Sequence, residues 1–196
     1  MLTHLRASLF KSILEGHEAA FKASFHSENV KLLEQITEQI VNAFRKGNKI
    51  LLCGNGGSAA DAQHIAAEFI GRFKKERKSL PAIALTTDTS ILTALANDYS
   101  YEAVFSRQVE GLGEKGDVLI ALSTSGTSKN AVEAVKKAKE MGLVTIGFTG
   151  EAGGTLKQIC DFNFSAGSKK TPHVQEMHIT ALHAISEAAE DALFPV

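Results

Sequence analysis

The chain has 196 residues, 44% hydrophobic and 22% charged, with two cysteines and a formal net charge of −1. That mix suits one globular α/β domain with a sizeable core, and the near-neutral balance gives no global attraction to nucleic acid or an anionic membrane. No apolar run is long enough to span a bilayer and the first residues, Met1 to Arg6, lack the apolar stretch of a signal peptide, so a cytoplasmic protein is expected.

Leu2, Leu5, Leu9 and Ile13 recur at helical spacing, and Leu33, Ile36, Ile40 and Phe44 form a second stripe that ends at Gly47. The first helix has only the second to pack on in its own half, so either the chain's own core or a partner subunit covers its stripe. Strand-like runs then alternate with helices: Ile50–Cys53, Ala82–Leu85, Val118–Leu122, Val144–Phe148 and Phe162–Ser165. The alternation predicts an α/β fold, a doubly wound parallel sheet of five strands with helices on both faces. Residues 1–196 read as a single domain with 1–46 as an N-terminal helical extension. Cys53 and Cys160 fall in predicted strands without CxxC spacing, so buried reduced thiols are expected.

The run after the first strand, Gly54-Asn55-Gly56-Gly57-Ser58, is the most informative segment. Its glycines let the backbone turn tightly and approach a ligand, Ser58 suits an N-cap, and the helix it opens points free N–H groups and a positive dipole end over the turn. His64 and Glu68, four apart, share one face of that helix. Gly54-x-Gly56-x-x-Ala59 also fits the dinucleotide fingerprint, but that site wants an acidic residue about 20 positions on, and Asp88 falls well beyond. A second turn follows the third strand, Ser123-Thr124-Ser125-Gly126-Thr127-Ser128, and opens a helix with Val132, Val135 and Ala138 on one side. Two such turns past the carboxyl ends of parallel strands suit a phosphate and a sugar.

The glycine turn, His64-x-x-x-Glu68, Ala96-Asn97-Asp98, Phe105-Ser106-Arg107, Gly116-Asp117-Val118-Leu119, the serine turn, and Gln175-Glu176-x-His178 leading to His183 stand in the order of the SIS domain, a flavodoxin-like fold. Within it the chain resembles the phosphoheptose isomerases. The resemblance implies conversion of sedoheptulose 7-phosphate to D-glycero-D-manno-heptose 7-phosphate, for ADP-heptose and lipopolysaccharide core synthesis. It implies one zinc per subunit on His64, Glu68, Gln175 and His183; by spacing alone the His/Glu pair is more often a solvated helix-face contact. It implies substrate contacts at Asn55, Gly56, Gly57, Glu68, Asn97, Asp98, Ser123, Thr124, Ser125, Ser128 and Gln175, and a homotetramer with shared sites. The alternative is a DnaA initiator-associating relative that works by protein binding; such relatives lack the counterparts of Glu68 and His183.

An aldose–ketose isomerisation needs a base for the carbon acid and an acid/base for the oxygens; Glu68 is assigned the first role and His183 the second. A tightly bound carboxylate is a poorer base, so Glu68 is expected to coordinate loosely or to leave the metal during turnover. Gln175 and His183 are eight residues apart, about 12 Å along one straight helix. Either the helix starts after Gln175, which Pro172 allows, or one ligand comes from a neighbouring subunit, the option favoured here. His4, His17 and His26 read as solvated, and His173 is undecided. His178 reads as a packing histidine or a partner of Gln175. Asp61 either orients His64 or caps its helix dipole, and Arg72 either reaches the phosphate or is an ordinary surface arginine.

Overall fold

Four consecutive apolar residues, Ile50 to Cys53, are satisfied best in a strand covered on both faces. In the computed structural model, which describes the backbone of residues 2–195 and the side chains of residues 8–195, they form β1 (Ile50–Gly54), buried throughout. The sheet is completed by β2 (Ala82–Ala84), β3 (Val118–Ser123), β4 (Val144–Thr149) and β5 (Phe162–Ser165), in the order β2-β1-β3-β4-β5 with every pairing parallel. The expected five-stranded doubly wound sheet is therefore present. Its order reverses between β1 and β3, and the crevice outside their carboxyl ends is where such sheets bind ligands.

The helices are α1 (Leu2–Ser24), α2 (Ser27–Arg45), α3 (Gly57–Ile70), α4 (Thr89–Asp98), α5 (Ser106–Leu112), α6 (Lys129–Glu140), α7 (Gly154–Ile159) and α8 (Thr171–Leu193). Period-two alternation along the strands sends Ile50, Leu52 and Ile120 to one core with Ile36 and Ile40 of α2, Ile65 of α3 and Leu182 of α8. Leu51, Cys53 and Leu119 go to the other, against Val109 of α5 and Val132 and Val135 of α6. The second predicted stripe is thus core, and Gly47, with φ 81°, follows the helix end as expected.

Of the two covers expected for the α1 stripe, the chain's own core is not the one: the helix runs against α8 and leaves Leu9 and Ile13 59% and 49% exposed, with Phe10, Leu14 and Phe21 beside them. The side chains of Leu2, His4 and Leu5 lie outside the described residues. Two expectations, at Cys160 and Ser58, need correction. Cys160 follows α7 rather than sitting in a strand; it is half-buried and, like the buried Cys53, a free thiol, its pKa pushed up to about 12 mainly by burial. Ser58 is not the cap of α3, because Gly56 takes that place with φ 57° and Ser58 is buried one turn-residue further in.

His178 proves to be the packing histidine, wholly buried among Phe148 and Phe164, with Nε2 3.0 Å from the Thr149 carbonyl. Nδ1 has no partner among the described residues. Burial lowers its pKa to about 4, against the opposing hydrogen bond to Thr149. Because the unfolded imidazole titrates near 6.5, the unfolded chain binds the extra proton between about pH 6.5 and pH 4, and stability falls as pH drops through that window. Urea midpoints at pH 7 and pH 5 should therefore fall further for wild type than for His178→Gln; equal falls would contradict the assignment.

Candidate active site

Two turns flank the β1/β3 switch point. After β1 the chain reaches Gly56, whose positive φ turns the backbone into α3 and which has open space where a Cβ would stand. A Cβ on Gly57 would come within 2.5 Å of the Gln175 Nε2, so this amide from α8 lies directly on the turn. Because the atoms met are the end of a flexible side chain, Gly57→Ala should fold with near wild-type stability while displacing Gln175. Turnover is expected to fall by about tenfold with the melting temperature kept; unchanged turnover would remove Gln175 from the site.

After β3, Ser123 is buried and its Oγ lies 2.8 Å from Ser128 Oγ and accepts the Gly126 N–H at 3.1 Å. Ser125 Oγ accepts from the Thr127 N–H and hydroxyl at 3.2 and 3.0 Å, and the Thr124 carbonyl accepts the Gly150 N–H. Ser128 precedes α6, so the N-terminus of that helix opens here beside the N-terminus of α3. The turns are tied together: Asn55 and Asn130 of α6 exchange amide hydrogen bonds of 2.9 and 2.8 Å, and the Tyr101 hydroxyl donates to Asn55 Oδ1 at 3.2 Å. Asn97 and Asp98 stand exposed at the end of α4, hydrogen-bonded to each other at 2.9 Å. Asp88 is absorbed as the N-cap of α4, accepting the Ile91 N–H, so the dinucleotide reading has no ribose ligand there.

His64 and Glu68 on α3 meet His183 on α8. The Nε2 of His64 lies 3.0 Å from Glu68 Oε1 and 3.0 Å from the Nε2 of His183, and the three donor atoms are all within 4.8 Å of one another. In a tetrahedral zinc site with bonds near 2.0–2.1 Å the donors stand roughly 3.3 Å apart, so this nitrogen, nitrogen, oxygen set fits such an ion. Burial lowers the His183 pKa, His64 adds to that and Glu68 opposes it, so the neutral form of the imidazole, the one that can ligate a metal, is favoured. The ring of Phe73 stacks on His183 at 5.6 Å and 20°.

Gln175 and His183 share α8, which begins at Thr171 with Pro172 in its first turn, so the helix does not start after Gln175. Asp61 makes no hydrogen bond to His64 among the described contacts; its Oδ2 is buried without a partner and burial raises its pKa to about 6, against the pull of His64. Arg72 is an exposed arginine beside Glu76 at 3.6 Å. His17 is not merely solvated, since its Nδ1 lies 2.6 Å from Glu176, and His173 is buried with its ring 6.3 Å from that of His17 at an interplanar angle of 84°. His26 is exposed just before α2. Sequence reasoning missed Asn130, Phe73, Arg77 and Glu190. Asn130 and Glu190 carried a signal, a polar residue on an otherwise apolar helix stripe.

The fold, the paired turns and the donor cluster define an α/β domain suited to a phosphorylated ligand. The SIS domain family profile matches residues 18–150. The chain is 55% identical over 189 residues to the phosphoheptose isomerase of Aliarcobacter butzleri, covering 96% of this chain and 99% of that one. It is 52% identical to that of Clostridium acetobutylicum, covering 94% and 92%. The solved structure of phosphoheptose isomerase GmhA from Neisseria gonorrhoeae matches with a TM-score of 0.85 at 40% identity, covering 97% of this chain and all of that one. The chain belongs to the SIS domain family and, within it, to the phosphoheptose isomerases.

Proposed function

We propose that this protein interconverts sedoheptulose 7-phosphate and D-glycero-D-manno-heptose 7-phosphate, in the supply of ADP-heptose for lipopolysaccharide core. The observation that carries the reading is the meeting of His64 and Glu68, on the helix opened by the glycine turn, with His183 of α8. The rise of α3 sets His64 about 10 Å from Gly57. That separation leaves room for the sugar chain between the glycine turn and the donor cluster.

The serine turn, with Ser123, Thr124, Ser125 and Ser128, holds the phosphate through hydroxyls and backbone N–H groups. Asn55, Gly56, Gly57, Asn97, Asp98 and Gln175 hold the sugar. Glu68 removes the proton from C1 of the ketose and returns it to C2; its Oε1 faces His64, leaving Oε2 for the carbon. His183 moves the proton between O1 and O2, and the negative charge develops over both oxygens in between. His64, Glu68, Gln175 and His183 would hold one zinc ion per subunit, which when bound supplies Lewis-acid polarisation of the carbonyl.

We further propose a cytoplasmic homotetramer, residues 1–196 acting as one domain with 1–46 as its helical extension. The exposed α1 stripe supports subunit packing, and sharing of sites between subunits follows from the reach problem at Gln175. A purely protein-binding role gives no reason for a carboxylate and two imidazoles to converge. The test is to incubate the zinc-loaded protein with sedoheptulose 7-phosphate in heavy water. The expected result is the heptose phosphate carrying deuterium at C2. No turnover would overturn the function, and turnover with no deuterium over many cycles would count against Glu68 as the proton carrier.

A further inference from the structure

We propose that the buried Arg77–Glu190 pair, acting through the ring of Phe73, is a positioning device that sets the orientation of the His183 imidazole. The proposal rests on the site reading given above. Arg77 and Glu190 meet at 2.7 Å with side chains 1% and 2% exposed. The guanidinium donates to the carbonyls of Glu68 at 2.8 Å and Phe69 at 2.9 Å, and so caps the end of the helix that carries His64 and Glu68. Glu190 lies seven residues after His183 on α8, on the same side two turns along. One ion pair thus joins the ends of both helices that supply the donor atoms.

The carboxylate also accepts three consecutive backbone N–H groups, those of Phe73 at 3.1 Å, Lys74 at 2.7 Å and Lys75 at 2.9 Å. Those bonds fix the backbone from which the Phe73 ring reaches His183. The imidazole thus contacts two rings, Phe73 stacked at 5.6 Å and 20° and His64 in a T-shaped arrangement at 4.9 Å and 64°. An imidazole's second torsion is broad and weakly preferred on its own. Stacking on the Phe73 ring restricts that torsion. Residues that orient a metal-binding or acid/base imidazole typically change affinity or activity by 10–100-fold when lost.

The alternative is that the clasp only anchors a surface loop. The two are separated by Phe73→Ala, Phe73→Tyr and the double variant Arg77→Met with Glu190→Leu, which exchanges the ion pair for packed apolar groups. For each, melting temperature, kcat and KM with sedoheptulose 7-phosphate, and zinc affinity by competition with a chelator are measured. Phe73→Ala should keep the melting temperature, lower kcat and weaken zinc binding each by about 10–100-fold, and leave KM within about threefold. Phe73→Tyr, which keeps the stacking face, should restore both, and the double variant should match Phe73→Ala.

Wild-type kcat and zinc affinity in Phe73→Ala would overturn the proposal, as would a rise in KM alone, which would put the ring against the sugar. Failure of Tyr to rescue would overturn it too. If the wild type proves inactive on this substrate, the site reading fails separately and the zinc measurement alone decides the positioning role. A wild type that neither turns over nor binds zinc overturns the proposal as well.

Discussion

Glu68→Gln is expected to lower kcat by roughly 10² or more while the substrate still binds. Glu68 sits one turn after His64 on α3 with Oε1 3.0 Å from the imidazole, so the substitution keeps the length of the side chain and an oxygen facing His64. It removes the basic carboxylate. The backbone carbonyl of residue 68, which Arg77 holds, is untouched, so the end of α3 should stay in place. Steady-state kcat and KM on the heptulose phosphate read the effect directly. A near wild-type kcat would mean that another group is the base.

The largest stability effect is expected at Glu190. Its carboxylate accepts from Arg77 and from three backbone N–H groups, and these outweigh the burial that opposes ionisation and hold its pKa below the usual carboxylate value. Glu190→Ala would strand the Arg77 charge, leave those N–H groups without their acceptor and open a hole beside α3, a loss of about 3–5 kcal/mol. Replacing both partners by apolar residues should cost less, because no charge is then left buried and unpaired, although the three N–H groups still lose their acceptor. Urea unfolding of the single and double variants measures both. A Glu190→Ala protein within about 1 kcal/mol of wild type would refute the clasp as a stabilising element.

The sheet was readable because each strand is a short apolar run between turn residues, and its ends moved by only a residue: β1 and β3 extend to Gly54 and Ser123. The glycine turn was readable as a turn, but its cap was misassigned, since a serine beside three glycines looks like the obvious cap while a positive φ makes Gly56 the residue that fits. The meeting of His64 with His183, 119 residues apart, has no local signature and came only from resemblance. Gln175 was assigned to the metal by that same resemblance, and nothing local to its sequence announced that its amide lies beside Gly57. Arg77 left no trace, because a loop arginine has no period to break and its partners arrive from two helices. The α1 stripe announced a helix correctly, but its described residues Leu9 and Ile13 are exposed in the single chain, and periodicity carries no information about which surface would cover them.

In the proposed homotetramer that stripe would couple folding to mass action. Leu9, Phe10, Ile13 and Leu14 remain open to water in the single chain, so whatever free energy their burial yields becomes available only when a second surface arrives. For a self-associating chain, the gain grows with the logarithm of protomer concentration. If the proposed homotetramer forms through this stripe, the thermal midpoint belongs to a concentration rather than to the sequence, and dilution acts as a mild denaturant.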